Sequence, residues 1–426
     1  NSFLSEFQTY FTVDDGKLPD FHIDNPSKNC LENVLFSHNI VYKHLCNLNK
    51  NSAAGPDGFP GKFWYHMKQS VCSPLSLIFK KSMSIGKLPE LWKKSIVTPI
   101  FKKGDSTLYS NYRPVSLTSI PCKLMESIIR DSIVDYLLKN NLLNKQQHGF
   151  LKKHSTGTQL LECLNDWTAA IENNMYVDVC NIDFAKAFDS VSIPKLVHKL
   201  GAYGLKDNLL QWLTDFLTGR SFRVRVDSIL SREEMQISGV PEGSVLGPIC
   251  FVLYINDLPQ SVKFSVCKMY ADDVKVYFIF PNDSYCNMLQ SDINEIVKWA
   301  KIWQLNISQS KTVLMHIGNK KENKFVYNID GVEIKSVTSV KDLGVYISEN
   351  LTWRVHCLET AKRASKIANI ILHSFACKNV NIYMKAFDIY VMPILEYCCY
   401  VWRPTLKMDT DIVENVLRHF TRRVFL

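Results

Sequence analysis

Apolar positions along this chain follow two periods, one near two residues and one near 3.6, and they divide it into strands and helices. "YVDVCNI" opens the segment 176–192 as a nearly continuous apolar run, which predicts a strand leading into a turn. "RSFRVRV" alternates Phe222, Val224 and Val226 with Arg223 and Arg225, the pattern of a strand with one wet face. "FSVCKMYADDVKVYFIF" (264–280) predicts strand, turn and strand. Ser95 to Phe101 is a shorter β run bracketed by lysines, 312–317 is another strand, and a further β region extends to Ile347. Helical spacing links Leu124, Ile128, Ile129, Ile133 and Leu137. A second helix follows a cap at Ser155 and Thr156, and a third fills 207–219 and stops at Gly219. The Gly/Pro-rich "SGVPEGSVLGP" runs into a wholly apolar helix, another helix carries Trp299 and Trp303, and the chain is mostly helical from about 354. "NSAAGPDGFPGKFW" (51–64) is a loop entering an amphipathic segment, and residues 1–47 are weakly patterned, as in an extension or linker. The expected fold class is α+β with a separate helical module.

Composition bounds this picture without redirecting it. A chain of 426 residues, 46% hydrophobic and 21% charged, is an ordinary globular protein with about two to four domains. Its net charge of +9 suits a phosphate-backbone partner but is too modest to require one. The 13 cysteines contain no CxxC pair, so neither zinc-site spacing nor a secreted disulfide framework is present, and free thiols in a reducing compartment are expected. No apolar run approaches the ~18 residues of a membrane span. The chain starts at Asn1 in place of Met, as a fragment of a longer polypeptide would.

The candidate chemistry lies in carboxylates. Asp272 and Asp273 are adjacent inside a segment otherwise suited to burial. Neighbours on a strand face opposite sides, so both can escape the core only at a hairpin tip. Turn propensity alone would also put Asp there. Asp183, at the end of the apolar run Val177 to Ile182, could likewise be only a cap. Together the three are the set that two divalent cations require: Mg²⁺ takes carboxylate oxygens and shares its shell with substrate phosphates. Two such ions ~3.5–4 Å apart serve an in-line displacement at phosphorus, and their charge offsets the repulsion among the aspartates.

"YADD" (270–273) resembles the core motif of reverse transcriptases, and the order of the other segments is similar to the non-LTR (LINE-type) branch, jockey-like elements above all. The matching stretches are "AAGPDGF" (53–59), "PIFKKGD" (99–105), "NYRPVSL" (111–117), "QHGF" (147–150), "DFAKAFDSV" (183–191), "GVPEGSVLGP" (239–248), "LNISQSKTVLM" (305–315), "KDLGVYI" (341–347) and "PILEYCCYVW" (393–402). The resemblance implies a right-hand polymerase with fingers (48–175, interleaved with palm), an antiparallel palm sheet packed on helices (176–353) and a helical thumb (354–426) whose C-terminal region is incomplete.

The resemblance further implies an RNA-directed DNA polymerase. Asp183, Asp272 and Asp273 would bind two Mg²⁺, with Mn²⁺ the alternative ion, and the Phe184 backbone carbonyl would join them. Phe188 would pack under the sugar and exclude a 2′-hydroxyl. Lys102, Lys103 and Arg113 would grip the triphosphate, with Lys123 a weaker candidate. Gly243 would allow close backbone approach to the nucleotide, and Lys311 would serve the leaving pyrophosphate. Lys362, Arg363 and Lys366, on one side of a helix whose apolar stripe is Leu358, Ala361, Ala368 and Ile371, would track the duplex; Arg223 and Arg225 form a second basic pair. Partners implied are an RNA template, a DNA primer or nicked target DNA, and dNTPs, with no membrane and no obligate protein partner. An intracellular, nuclear site follows from the family's habit of copying at its chromosomal target. Three positions depart from the family: Glu242 stands where Gln is usual, Leu151 where Arg is frequent, and His154 where a more basic residue is usual. They raise a decayed nucleic-acid-binding relic as an alternative to an active enzyme. An intron-maturase-like protein, which shares this palm, is a second alternative, although "KAFDSV" and "GVYISENLTW" fit the retrotransposon branch better.

Overall fold

The computed structural model describes residues 2–23, 30–318, 325–375 and 379–425. The chain forms two compact units, each drawn from three separated stretches. The first comprises Asn1–Phe150, Phe184–Ser261 and Glu295–Ile307; the second comprises Leu151–Asp183, Val262–Asn294 and Ser308–Leu426.

In the first unit a mixed sheet runs in the order Tyr112–Leu117, Lys94–Phe101, Arg220–Val226, Ile229–Leu230, and Glu234–Gln236 also pairs with Arg220–Val226. Lys94–Phe101 is antiparallel to Tyr112–Leu117 and parallel to Arg220–Val226. The parallel pairing needs a long crossover, which the intervening helices supply. Helix Ile120–Lys139 buries Leu124, Ile128, Ile129, Ile133 and Leu137, as their spacing predicts. Helix Asp207–Leu217 buries Leu209, Trp212, Leu213, Phe216 and Leu217 and stops just before Gly219, whose φ of 63° a side chain would resist. The predicted alternation of Arg220–Val226 holds for Phe222 and Val224 but fails at Val226, which is exposed. The chain turns there at Asp227, φ 54°, to pair Val226 with Ile229.

The weakly patterned start of the chain is packed on this unit. Helix Ser2–Gln8 and the turn after it place Phe3, Phe7, Tyr10 and Phe11 against Val97, Phe222 and Val224. The Thr12 N–H donates to Ser238 Oγ at 2.8 Å, and the buried Lys195 ammonium donates to Asp15 at 3.0 Å and to the Ile302 carbonyl at 2.7 Å.

The second unit is built on a sheet ordered Lys335–Ser336, Val313–Ile317, Tyr176–Ile182, Asp273–Phe280, Val266–Tyr270. Tyr176–Ile182 is central, antiparallel to both neighbours, and its run of apolar residues is buried on both faces. One face is covered by helix Thr156–Glu172, which brings Leu160, Cys163, Leu164 and Trp167 onto Val177, Val179, Tyr277 and Met315. Its N-terminus carries a capping box between Ser155 and Thr158. The buried Asp178 is held by His316 Nδ1 and by the Tyr327 hydroxyl, each at 2.7 Å. Lys275 and Asp342 form a buried ion pair between the hairpin strand Asp273–Phe280 and the strand Ser339–Asp342. Helices Arg354–Ser374, Val380–Tyr390 and Lys407–Phe425 enclose an apolar core around Ala364, Phe387, Val391 and Phe420.

The fold class is therefore α+β, with mixed and antiparallel sheets packed on helices. One helical expectation needs correction. Ala361, Ala368 and Ile371 are buried, but Leu358 is 45% exposed, because the inward stripe of Arg354–Ser374 runs through Cys357, Ala361, Ala364 and Ala368, one position off Leu358. The described cysteines are free thiols, most of them buried. No helix among the described residues is long and apolar enough to cross a membrane.

His356 lies buried against Trp402, ring centroids 4.5 Å apart, and its Nδ1 accepts the Tyr346 N–H at 3.1 Å. Burial, followed by the charge of Lys341, pushes its pKa down to about 4. The unfolded chain, with its histidine near the ordinary ~6.5, then binds more protons between those values, so stability falls as pH drops through that window. Calorimetry from pH 7 to 4 is expected to show the melting temperature of His356→Asn falling a few degrees less than that of the wild type; parallel curves would contradict it.

Candidate active site

Strand register decides where the acidic residues stand. Ile182 pairs with Val274, so Asp183, the next residue, leaves the sheet beside the end of the hairpin. Tyr270 pairs with Asp273, leaving Ala271 and Asp272 as a two-residue turn. Such turns need positive φ, and Ala271 has φ 54°. A non-glycine residue held there stores roughly 1–2 kcal/mol, a strain of the kind found at functional sites. Thus Asp183, Asp272 and Asp273 share one end of the second unit's sheet.

The loop after Asn306 supports Asp183. The Asp183 carbonyl accepts the Ser308 N–H at 2.7 Å, the Asp183 N–H donates to Thr312 Oγ1 at 3.3 Å, and Lys311 Nζ lies 3.2 Å from Asp183 Oδ2. Lys311 is thus brought to the aspartates, with its own side chain 66% exposed. Surrounding protein, then the charges of Asp272, Asp342 and Asp183, against Lys275, push the Asp273 pKa up to about 6. Since Asp273 reaches solvent, the neighbouring carboxylates are the firmer cause of that direction. The end of the sheet is a concentration of negative charge that favours cations.

The donors are hard oxygens, suited to Mg²⁺ or Mn²⁺, and the Lys311 ammonium already stands against Asp183 as a cation would. Among the described residues no three His, Cys, Asp or Glu side chains close into a ready metal cage. Phe184 follows with its side chain buried and forms an isolated bridge with Ile307 in the first unit.

The other predicted nucleotide residues lie in the first unit. Phe188 stacks on the buried Phe251, centroids 4.5 Å apart, and meets the exposed Phe150 edge-on at 6.4 Å. The "GVPEG" loop is stitched to it, with Val240 N–H donating to the Phe188 carbonyl at 2.9 Å and Gly239 N–H to the Val191 carbonyl at 2.8 Å. Gly243, φ 112°, lies so close to strand Tyr112–Leu117 that a Cβ would stand 2.5 Å from the Ser116 carbonyl oxygen. That strand carries Arg113, whose Nε lies 3.5 Å from Glu242 Oε1. Lys102 and Lys103 are exposed in the connection between Lys94–Phe101 and Tyr112–Leu117, and Lys123 is half-buried on helix Ile120–Lys139. Asp189, beside Phe188, has its pKa pushed up to about 7 by burial and then by Glu242, against Lys186, Lys102 and Arg113.

The basic residues fall elsewhere. Lys362, Arg363 and Lys366 are exposed on the outer side of helix Arg354–Ser374. Arg223 and Arg225 lie on the first unit's sheet, where Arg223 pairs with Glu233 at 3.4 Å. Leu151 and His154 lie in the turn before helix Thr156–Glu172.

Glu126 escaped sequence reasoning. It is fully buried on helix Ile120–Lys139, and its Oε2 accepts the N–H groups of Val245 at 2.7 Å and Leu246 at 3.1 Å. It thereby anchors the end of the "GVPEGSVLGP" loop. Burial raises its pKa, opposed by those N–H groups and by Arg220. The one available signal was a carboxylate inside an apolar helical stripe.

Residues 100–347, more than half of the chain, match the family described as reverse transcriptase (RNA-dependent DNA polymerase), and the chain belongs to that family. Its relatives are polymerases of non-LTR retrotransposons. It is 27% identical to the probable RNA-directed DNA polymerase from transposon X-element of Drosophila melanogaster, over 85% of this chain and 41% of that protein. It is 28% identical to the RNA-directed DNA polymerase from mobile element jockey of the same species, over 89% and 43%, and 29% identical to the jockey enzyme of Drosophila funebris, over 74% and 35%. The chain thus spans about two fifths of the length of these curated relatives. Divalent-metal dependence is general in the family.

Replacing Glu126 by Ala is expected to lower stability by roughly 2–4 kcal/mol, since two buried N–H groups lose their acceptor at about 1–3 kcal/mol each. Denaturant unfolding that left the midpoint in place would show that water or another group replaces it.

Proposed function

We propose that the chain is the polymerising part of a non-LTR retrotransposon reverse transcriptase. The reaction is attack of a primer 3′-hydroxyl on the α-phosphate of a dNTP, directed by an RNA template, with pyrophosphate as leaving group. The observation that carries this reading is the register that sets Asp183 beside the Asp272–Asp273 turn. Asp183 and Asp272 are the principal metal-binding carboxylates, with Asp273 more peripheral and the Phe184 carbonyl joining them. Two Mg²⁺, when bound there, supply charge neutralisation at the reacting phosphorus and its entering and leaving oxygens.

Lys311 delivers a proton toward the leaving pyrophosphate, a role supported by its contact with Asp183. Arg113, with Lys102 and Lys103, holds the triphosphate; Gly243 keeps the backbone close, and Phe188 occupies the space a 2′-hydroxyl would need. The fingers, palm and thumb limits suggested by the resemblance belong to this proposal. So do duplex tracking by Lys362, Arg363, Lys366, Arg223 and Arg225, a DNA primer or nicked target as partner, and a nuclear site of action.

A second reading, a relic that binds nucleic acid without extending a primer, is favoured by one observation: the Arg113 guanidinium is met by a carboxylate at Glu242. Primer extension on an RNA template with dNTPs and Mg²⁺ separates the two. In an extending protein, Asp183→Ala and Asp272→Ala are each expected to reduce extension about a thousandfold or more with RNA binding largely retained. Near-wild-type extension by either variant would remove the mechanism. Phe188→Val is expected to raise ribonucleotide incorporation relative to dNTPs by about tenfold or more, because a steric exclusion is lifted. Unchanged sugar preference would reduce Phe188 to a packing residue.

A further inference from the structure

Glu242 is the departure from the family pattern that the polymerase reading does not absorb. Its position is closely determined. Ser116 N–H donates to the Glu242 carbonyl at 2.7 Å, and the next residue, Gly243, approaches Ser116 more closely than any side-chain-bearing residue could. Ser116 and Arg113 share the strand Tyr112–Leu117. The loop and the strand are therefore locked in the register that brings the Glu242 carboxylate to the Arg113 guanidinium. Exposure separates the partners: Glu242 is 21% exposed at its side chain, Arg113 is 55% exposed. The arginine can be reached by a ligand, while the carboxylate that holds it is partly enclosed.

Asp189 adds to the negative charge behind this pair. Asp189 and Glu242 line the same small cavity, with Ser116, Pro114 and Gln236, and Phe7 and Phe11 from the N-terminal stretch. The positive groups whose charge reaches Asp189 are Lys186, Lys102 and Arg113; Tyr10 is also within electrostatic reach.

We propose that Glu242 is a positioning residue that competes with the incoming nucleoside triphosphate for Arg113, so that this chain binds dNTPs more weakly than it would with an amide at that position. This rests on the reading of Arg113 as a triphosphate ligand. The guanidinium is drawn to Glu242. A triphosphate must displace that contact and then lies near a carboxylate, whereas glutamine could hold the arginine by a hydrogen bond without opposing the anion. The effect falls on nucleotide affinity, since the contact broken is one of the ground state.

The test is a double-mutant cycle of Glu242→Gln and Arg113→Ala. Its readouts are dNTP affinity on a dideoxy-terminated primer annealed to RNA, which needs no turnover, and KM and kcat on an extendable primer. Glu242→Gln keeps side-chain volume, and its unfolding midpoint serves as the folding control. The variant is expected to tighten dNTP binding about threefold to tenfold, the scale of losing a half-exposed ion-pair competitor and its repulsion. KM is expected to fall in parallel, with kcat within about twofold. Arg113→Ala is expected to weaken binding, and Glu242→Gln to tighten it by a clearly smaller factor in that background, where only the repulsion is left to remove. Unchanged or weaker binding in Glu242→Gln, alongside weaker binding in Arg113→Ala, overturns the inference and leaves the triphosphate role of Arg113 standing. A tightening of the same size without Arg113 overturns it too. Unaltered binding in Arg113→Ala sinks that role and the inference together.

Discussion

The antiparallel pairing of Tyr176–Ile182 with Asp273–Phe280 is the constraint on which the second unit depends. Register in a buried sheet is strongly specified, because a slip of one residue would exchange the two faces of every side chain. Here Val177 and Val179 meet Trp167 and Leu160 of the covering helix, and that packing leaves one register open. The same register fixes which residue follows the last ladder pair. Asp183 reaches the hairpin turn as a consequence of apolar burial, and the acidic residues need not attract one another to meet.

Charge then has to be managed in a small space. Lys311 stands against Asp183 from one side, and the buried Lys275–Asp342 pair lies behind Asp273. A buried ion pair contributes little net stability, but removing one partner is costly. Its clearer consequence is geometric: it ties the turn-bearing strand to the strand Ser339–Asp342. The turn itself holds Ala271 in a strained backbone conformation, which persists because the pairs on either side leave no alternative.

The first unit manages the opposite problem, keeping a glycine-rich loop in one conformation. Glu126 receives two N–H groups at the loop's end, Phe188 and Val191 take two at its start, and Ser116 binds its middle. Each anchor comes from a different element, so the loop is held by tertiary contacts at every point. A loop so held turns the identity of one side chain, Glu242, into a fixed charge beside Arg113.

Much of this was legible in the chain itself. Period and capping marked the strands Tyr176–Ile182 and Val313–Ile317 and the helices Ile120–Lys139 and Thr156–Glu172, because each buries one continuous face and the pattern records that face. Spaced motifs marked the acidic residues and the loop glycines, since chemistry and close approach restrict residue type wherever they occur. Other features were decided only in three dimensions. Val226 is exposed because the chain turns and pairs there, Leu358 is exposed because the helix packs one position away, and Glu126 is buried because a loop remote in sequence needs its oxygens. The meeting of Glu242 with Arg113 belongs with these. Burial, ion pairs and loop anchoring depend on what comes near from elsewhere in the chain, and local sequence pattern carries no record of that.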